Sequence, residues 1–127
     1  MNTNKNYQLG LLSLVHLLMN ADGVIDENEK QALVRLKLLE QIPEDVFEEF
    51  SNGVAVKKQR EIYEQGIHLI NQCSDQEKLK AFVHLYKMTE VDGHIHVKEV
   101  RLLLYSIKMA NIEFSDVIEL AKKAKNF

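Results

Sequence analysis

The stretch N-A-D-G-V-I-D-E-N-E at positions 20–29 returns at positions 90–99 as E-V-D-G-H-I-H-V-K-E, an offset of 70 residues. The shared core is D-G-x-I-x-x-x-E. Each copy follows one segment with apolar residues three and four apart and precedes another, the spacing that puts them on one helix face. Helices one and two, and helices five and six, therefore read as two versions of one helical hairpin. A pseudo-twofold arrangement of the hairpins would bring the two loops to related places on a bundle.

Working outward, the same periodicity covers nearly the whole chain, and sustained period-two alternation is absent, so the reading is all-α: a compact bundle of about seven helices in a single domain over 1–127. The first helix, about 7–20, carries Leu11, Leu14, Val15 and Leu18 on one stripe, widened by Leu12 and Leu17, and should be deeply buried. Asp26 can cap a second helix with Leu33 and Leu36 inward, ending near Gln41 because Pro43 follows. Pro43 suits the first turn of a short third helix that ends around Asn52-Gly53. A fourth, about 56–73, presents Ile62, Tyr63, Gly66, Ile67, Ile70 and Cys73, with Gly66 allowing a close helix crossing. Ser74-Asp75-Gln76-Glu77 is a capping box that opens a fifth helix, 75–90, with Leu79, Phe82, Val83 and Tyr86 inward. The sixth, about 97–110, turns in Val100, Leu103, Leu104 and Ile107, and Asn111 is its expected left-handed stop. Ser115 caps a seventh helix whose tail holds Lys122, Lys123 and Lys125 near the negative end of its dipole.

Composition narrows the function. Hydrophobic residues make up 46% and charged residues 28%, which is globular and not disordered composition. Sixteen basic against nineteen acidic side chains leave a net charge of −3, so no general attraction to nucleic acid or anionic lipid is expected. Charge is uneven: residues 1–52 carry four basic and nine acidic groups (−5), leaving twelve and ten (+2) for the rest. Cys73 is the only cysteine, so no internal disulfide can form and a reducing compartment, the cytoplasm, is expected. The longest apolar run, positions 9–19, is too short to span a bilayer, so stable membrane insertion is not expected.

The repeated motif has two physical readings. As structure, Gly23 and Gly93 supply positive φ, Ile25 and Ile95 plug the corner, and Asp26, Glu29 and Glu99 suit a helix N-terminus. As chemistry, Asp22, Asp26 and Glu29 in the first copy and Asp92 and Glu99 in the second are oxygen ligands whose mutual repulsion a hard cation would relieve. The order Asp, Gly, apolar, Glu matches the second half of an EF-hand loop. Yet the first ligand of such a loop would fall on Leu18 or Met88, which have no side-chain oxygen, so a true EF-hand is not expected. His94 and His96 bring nitrogen to the second copy and would turn preference towards zinc.

At this pair of motifs the sequence resembles the TerB-like family, small all-helical bacterial domains associated with tellurite resistance and stress response. The carriers are L-M-N-A-D-G-V-I-D-E-N-E and M-T-E-V-D-G-H-I-H-V-K-E, each behind an apolar helix, and the likeness runs from helix one to the end of helix six. The resemblance implies a domain without established catalysis and a divalent-metal site, for which the carboxylate ligands favour calcium or magnesium ahead of zinc. By position that site is made by Asp22, Asp26, Glu29, Asp92 and Glu99. The second copy departs from the acidic pattern, with His96 opposite Asp26 and Val91 opposite Ala21. The resemblance also implies protein partners, among them membrane-associated resistance components.

Two other functions compete. For an enzyme the chain offers no phosphate-binding glycine loop, no H-E-x-x-H and no G-x-S-x-G, and Cys73 sits at a periodic apolar position where an inert thiol is expected. For a metal-free interaction module, the acidic loops become helix caps, and E-D-V-F-E-E-F at 44–50 meets a basic partner with Val46, Phe47 and Phe50 as anchors. The same three side chains could instead plug the core beneath a solvated acidic face.

Overall fold

The computed structural model describes residues 2–20, 27–89 and 97–123, with side chains from residue 5 onward. The described residues form a bundle of α1 (Asn2–Met19), α2 (Glu27–Leu39), α3 (Glu44–Val56), α4 (Gln59–Asn71), α5 (Asp75–Met88), α6 (Val97–Met109) and α7 (Phe114–Lys123). No strand occurs among them. No helix of the described residues is long and apolar enough to cross a membrane.

α1 runs through the middle, with Leu11, Leu12, Leu14, Val15 and Leu18 almost wholly removed from water, as its doubled apolar stripe requires. It packs most extensively on α4 and also meets α3, α5 and α6, while α5 carries α7. The α1–α4 crossing is close because a glycine sits on each side. A β-carbon on Gly66 would lie 3.0 Å from Ser13 Cβ, and one on Gly10 would lie 2.9 Å from Ile70 Cγ1. The expected role of Gly66 holds, and Gly10 is its counterpart.

The internal repeat extends beyond the two hairpins. Gln41 and Asn111, again 70 apart, are the non-glycine residues with positive φ among the described residues, at 52° and 59°. Each ends its helix in the same way. Gln41 N–H donates to Leu38 O and Ile42 N–H to Lys37 O; Asn111 N–H donates to Lys108 O and Ile112 N–H to Ile107 O. These paired bonds are the Schellman stop, which satisfies carbonyls that the helix leaves over. α3 and α7 then begin at matching positions, Glu44 and Phe114. Packing follows the repeat too: α1 rests on α6 as α5 rests on α2. The unit is thus three helices, used twice, with α4 between.

An L-residue other than Asn at such a stop is strained by its own Cβ. Gln41→Gly is therefore expected to raise stability by about 0.5–1 kcal/mol, to be checked by urea titration; a loss would mean that the Gln41 side chain holds more than its backbone strain costs.

Several boundaries differ from the sequence reading. α1 starts at Asn2 and not near Tyr7, because the polar segment ahead of Tyr7 is helical without any apolar period to mark it. α3 does not stop at Asn52-Gly53 but continues to Val56, and α4 begins only at Gln59, with Lys57 and Lys58 extended between them. α7 begins at Phe114, one residue before the expected Ser115 cap. Leu104 points outward, 42% exposed, and the inner side of α6 is made by Glu99, Leu103, Ser106 and Ile107. The Ser74–Glu77 capping box forms as read, Ser74 Oγ accepting from Glu77 N–H and Glu77 Oε1 from Ser74 N–H.

Candidate functional site

Of the expected metal ligands, Glu29 and Glu99 lie in the described residues, while Asp22, Asp26, Asp92, His94 and His96 lie outside them. Glu29 and Glu99 are each the third residue of their helix, α2 and α6, and both are buried, at 3% and 2% exposure. An ordinary capping glutamate needs no such burial: Glu77, in the same place on α5, reaches its Ser74 partner and stays half-exposed. Taking a carboxylate out of water costs several kcal/mol unless hydrogen bonds or positive charge compensate it. The positive end of the helix dipole contributes part of that compensation at a first-turn position. Two such carboxylates at the same register of two repeated helices make this a paired feature, beside the loops where the remaining acids of the motif stand in the sequence. Among the described residues alone, no three His, Cys, Asp or Glu side chains converge to hold a metal ion.

The expected interaction anchors are engaged inside the fold. Val46 is buried with Leu12 and Ile42, and Phe47 and Phe50 lie half-buried against that cluster, their rings 6.0 Å apart. Lys37 Nζ stands 3.9 Å over the Phe47 ring. These side chains seat α3 on α1, and a partner would have to draw them out of a packed layer.

A second polar centre was not foreseen from sequence. Glu40, just beyond α2, has a side chain only 6% exposed and receives groups from two other helices. Its Oε2 accepts from Tyr7 Oη of α1 at 2.5 Å and from His84 Nε2 of α5 at 2.7 Å, and its Oε1 meets Lys80 Nζ at 3.0 Å. Burial alone would push this carboxyl up, but the hydrogen bonds from His84, Tyr7 and Lys80 outweigh it and hold the group down to about 2. Glu40 is thus ionised and has no proton to give, so His84 Nε2 carries the hydrogen between them. Burial and the neighbouring carboxylate push the Tyr7 phenol far above its ordinary value, so Tyr7 remains a donor. The network borders a cleft of about 570 Å³ whose rim includes Lys5, Gln41 and Glu77. Each strong group is already answered within the protein, which makes the cluster a clamp joining α1, α2 and α5.

A trace of it was present in the sequence. Tyr7 lies one turn before Leu11 on the buried stripe, and His84 interrupts the apolar run A-F-V-H-L-Y, positions at which a polar group must find a partner. Nothing in the sequence pointed to Glu40 as that partner, 33 residues from one and 44 from the other. Cys73 is buried and donates to Leu69 O at 3.4 Å, and burial pushes its thiol up, away from the reactive thiolate. A scan of this chain against protein-family models finds no match, and neither the curated proteins nor the solved structures yield one.

Proposed function

We propose that this chain is a non-catalytic, TerB-like helical domain that holds a divalent cation at its two D-G-x-I-x-x-x-E loops and serves a stress response such as tellurite resistance. The observation that supports this reading is the matched burial of Glu29 and Glu99, more complete than helix capping requires. The two motif glutamates stand at the same register of α2 and α6, each directly after one of the loops in the sequence, and oxygen ligands favour calcium or magnesium over zinc. On this reading the domain works by presenting its metal-ordered loops to a protein partner, membrane-associated resistance components being the class that the resemblance names.

The test is calorimetric titration of chelator-stripped protein with Ca²⁺, Mg²⁺ and Zn²⁺, with melting curves alongside. Saturable calcium or magnesium binding is expected, and an ion at a hundredfold over its Kd should add about 2.7 kcal/mol of stability. In Glu29→Gln with Glu99→Gln that metal-dependent increment should vanish, whatever the substitutions do to the metal-free melting temperature. Zinc binding alone would move the site to His94 and His96. No binding by any ion would sink the metal reading and leave the acids as caps in a metal-free interaction module.

A further inference from the structure

α6 turns one side into the core and leaves the other bare. Val97, Leu104, Tyr105 and Met109 are exposed by 61, 42, 56 and 45%, and on the same side Lys98, Arg101 and Lys108 stand in solvent. The single acid of the helix, Glu99, is buried on the opposite side. At 100° per residue, Leu104, Val97, Lys108, Arg101, Tyr105, Lys98 and Met109 follow one another around a sector of about 140°. The outward side therefore interleaves large apolar groups with charge of one sign. Beneath its C-terminal end, a cleft of about 480 Å³ opens towards α7, walled by Leu104, Ile107, Lys108, Ile112 and Phe114, with Glu113 at its rim.

We propose that this face is a docking surface for an acidic amphipathic helix of another protein. The partner's apolar ridge lies over Leu104, Tyr105 and Met109, one bulky apolar side chain enters the cleft, and its carboxylates meet Arg101 and Lys108. Charge selects this occupant. A bilayer-bound helix keeps its apolar sector unbroken, whereas here Arg101 and Lys108 stand among the apolar groups, and the chain's net charge of −3 opposes an anionic surface. A second copy lacks the complement. The equivalent bare side of α2, with Val34 and Leu38, carries Lys30 and Arg35 against one acid, Glu27, while the acidic α3 has Val46, Phe47 and Phe50 turned into the fold. The surface is independent of the metal reading, because none of its residues belongs to the loop motif's acids.

The probe is a dye-labelled 16-residue helical peptide with Leu or Phe at i, i+3, i+4 and i+7 and Glu elsewhere, followed by fluorescence anisotropy. Saturable binding with a Kd of about 10–100 µM is expected. It should weaken about tenfold in Arg101→Glu with Lys108→Glu and in Leu104→Ser, and the charge-reversed variant should instead bind the peptide with Lys in place of Glu. All three positions are exposed, so unchanged far-UV dichroism and melting separate lost binding from lost folding. Three results would overturn the proposal: no saturation by about 1 mM, binding indifferent to the substitutions, or preferential binding of phosphatidylserine vesicles. Self-association that Arg101→Glu abolishes would overturn it also, in favour of a second copy.

Discussion

Glu40→Ala is expected to cost about 3–5 kcal/mol and to lower the melting temperature by about 10 °C or more. The substitution removes one carboxylate and with it the acceptor that two buried donors share, the Tyr7 hydroxyl and His84 Nε2. It also unfastens the C-terminal end of α2 from α1 and α5, to which this cluster ties it. The acid limb of stability carries the signature. The Glu40 carboxyl sits at about 2 in the fold against an ordinary 4.5. A group depressed in this way stabilises the folded state fully above its unfolded value, and the contribution drains away as pH falls from about 4.5 towards about 2. Urea titrations between those values should show a steep loss in the parent chain and a shallower one in Glu40→Ala. A variant with unchanged melting and the same acid limb would mean that the clamp contributes nothing to the fold.

The second large effect is expected at the α1–α4 crossing. Alanine is the better helix former than glycine by about 1 kcal/mol, so propensity alone predicts that Gly10→Ala stabilises. The structure predicts the reverse. A β-carbon at Gly10 meets Ile70 Cγ1 at 2.9 Å, Ile70 Cδ1 at 3.0 Å and the backbone oxygen of Gly66 at 3.2 Å. Ile70 is wholly buried and has nowhere to retreat, and the carbonyl belongs to the α4 backbone. Overpacking of this kind costs about 1–3 kcal/mol, and more when branching adds a second clash. Gly10→Ala should therefore lose about 1–2 kcal/mol net and Gly10→Val at least about 3. Chemical denaturation of the three chains checks the order. If Gly10→Ala proves more stable than the parent, the helices can separate at little cost and the crossing is not set by these glycines.

How far the sequence reached differs between fold and site. Helix count, the repeat, the left-handed stop at Asn111 and the capping box at Ser74 were legible because each is a local matter: a 3.6-residue period, or a hydrogen bond spanning a few residues. Gln41, in the same backbone state as Asn111, escaped notice because Gln is not a usual left-handed residue, and only the repeat relation makes it intelligible. The start of α1 was missed because no apolar residue marks the helix there, and the end of α3 because Asn52-Gly53 reads as a stop that the helix runs through to Val56. At the site, the motif named Glu29 and Glu99, but nothing in the sequence said that they would be buried.

The sequence by itself determined an all-helical chain, a central apolar α1 and a repeat at an offset of 70, since these follow from which residue types recur at which spacing. Tertiary structure decided the rest. It brought Tyr7, Glu40, Lys80 and His84 to one point, joined Gly10 to Gly66, drew Phe47 and Phe50 inward and turned Leu104 out. Each of these depends on which helix lies against which. That choice is made by the summed burial of many side chains far apart in sequence, which no single periodicity encodes.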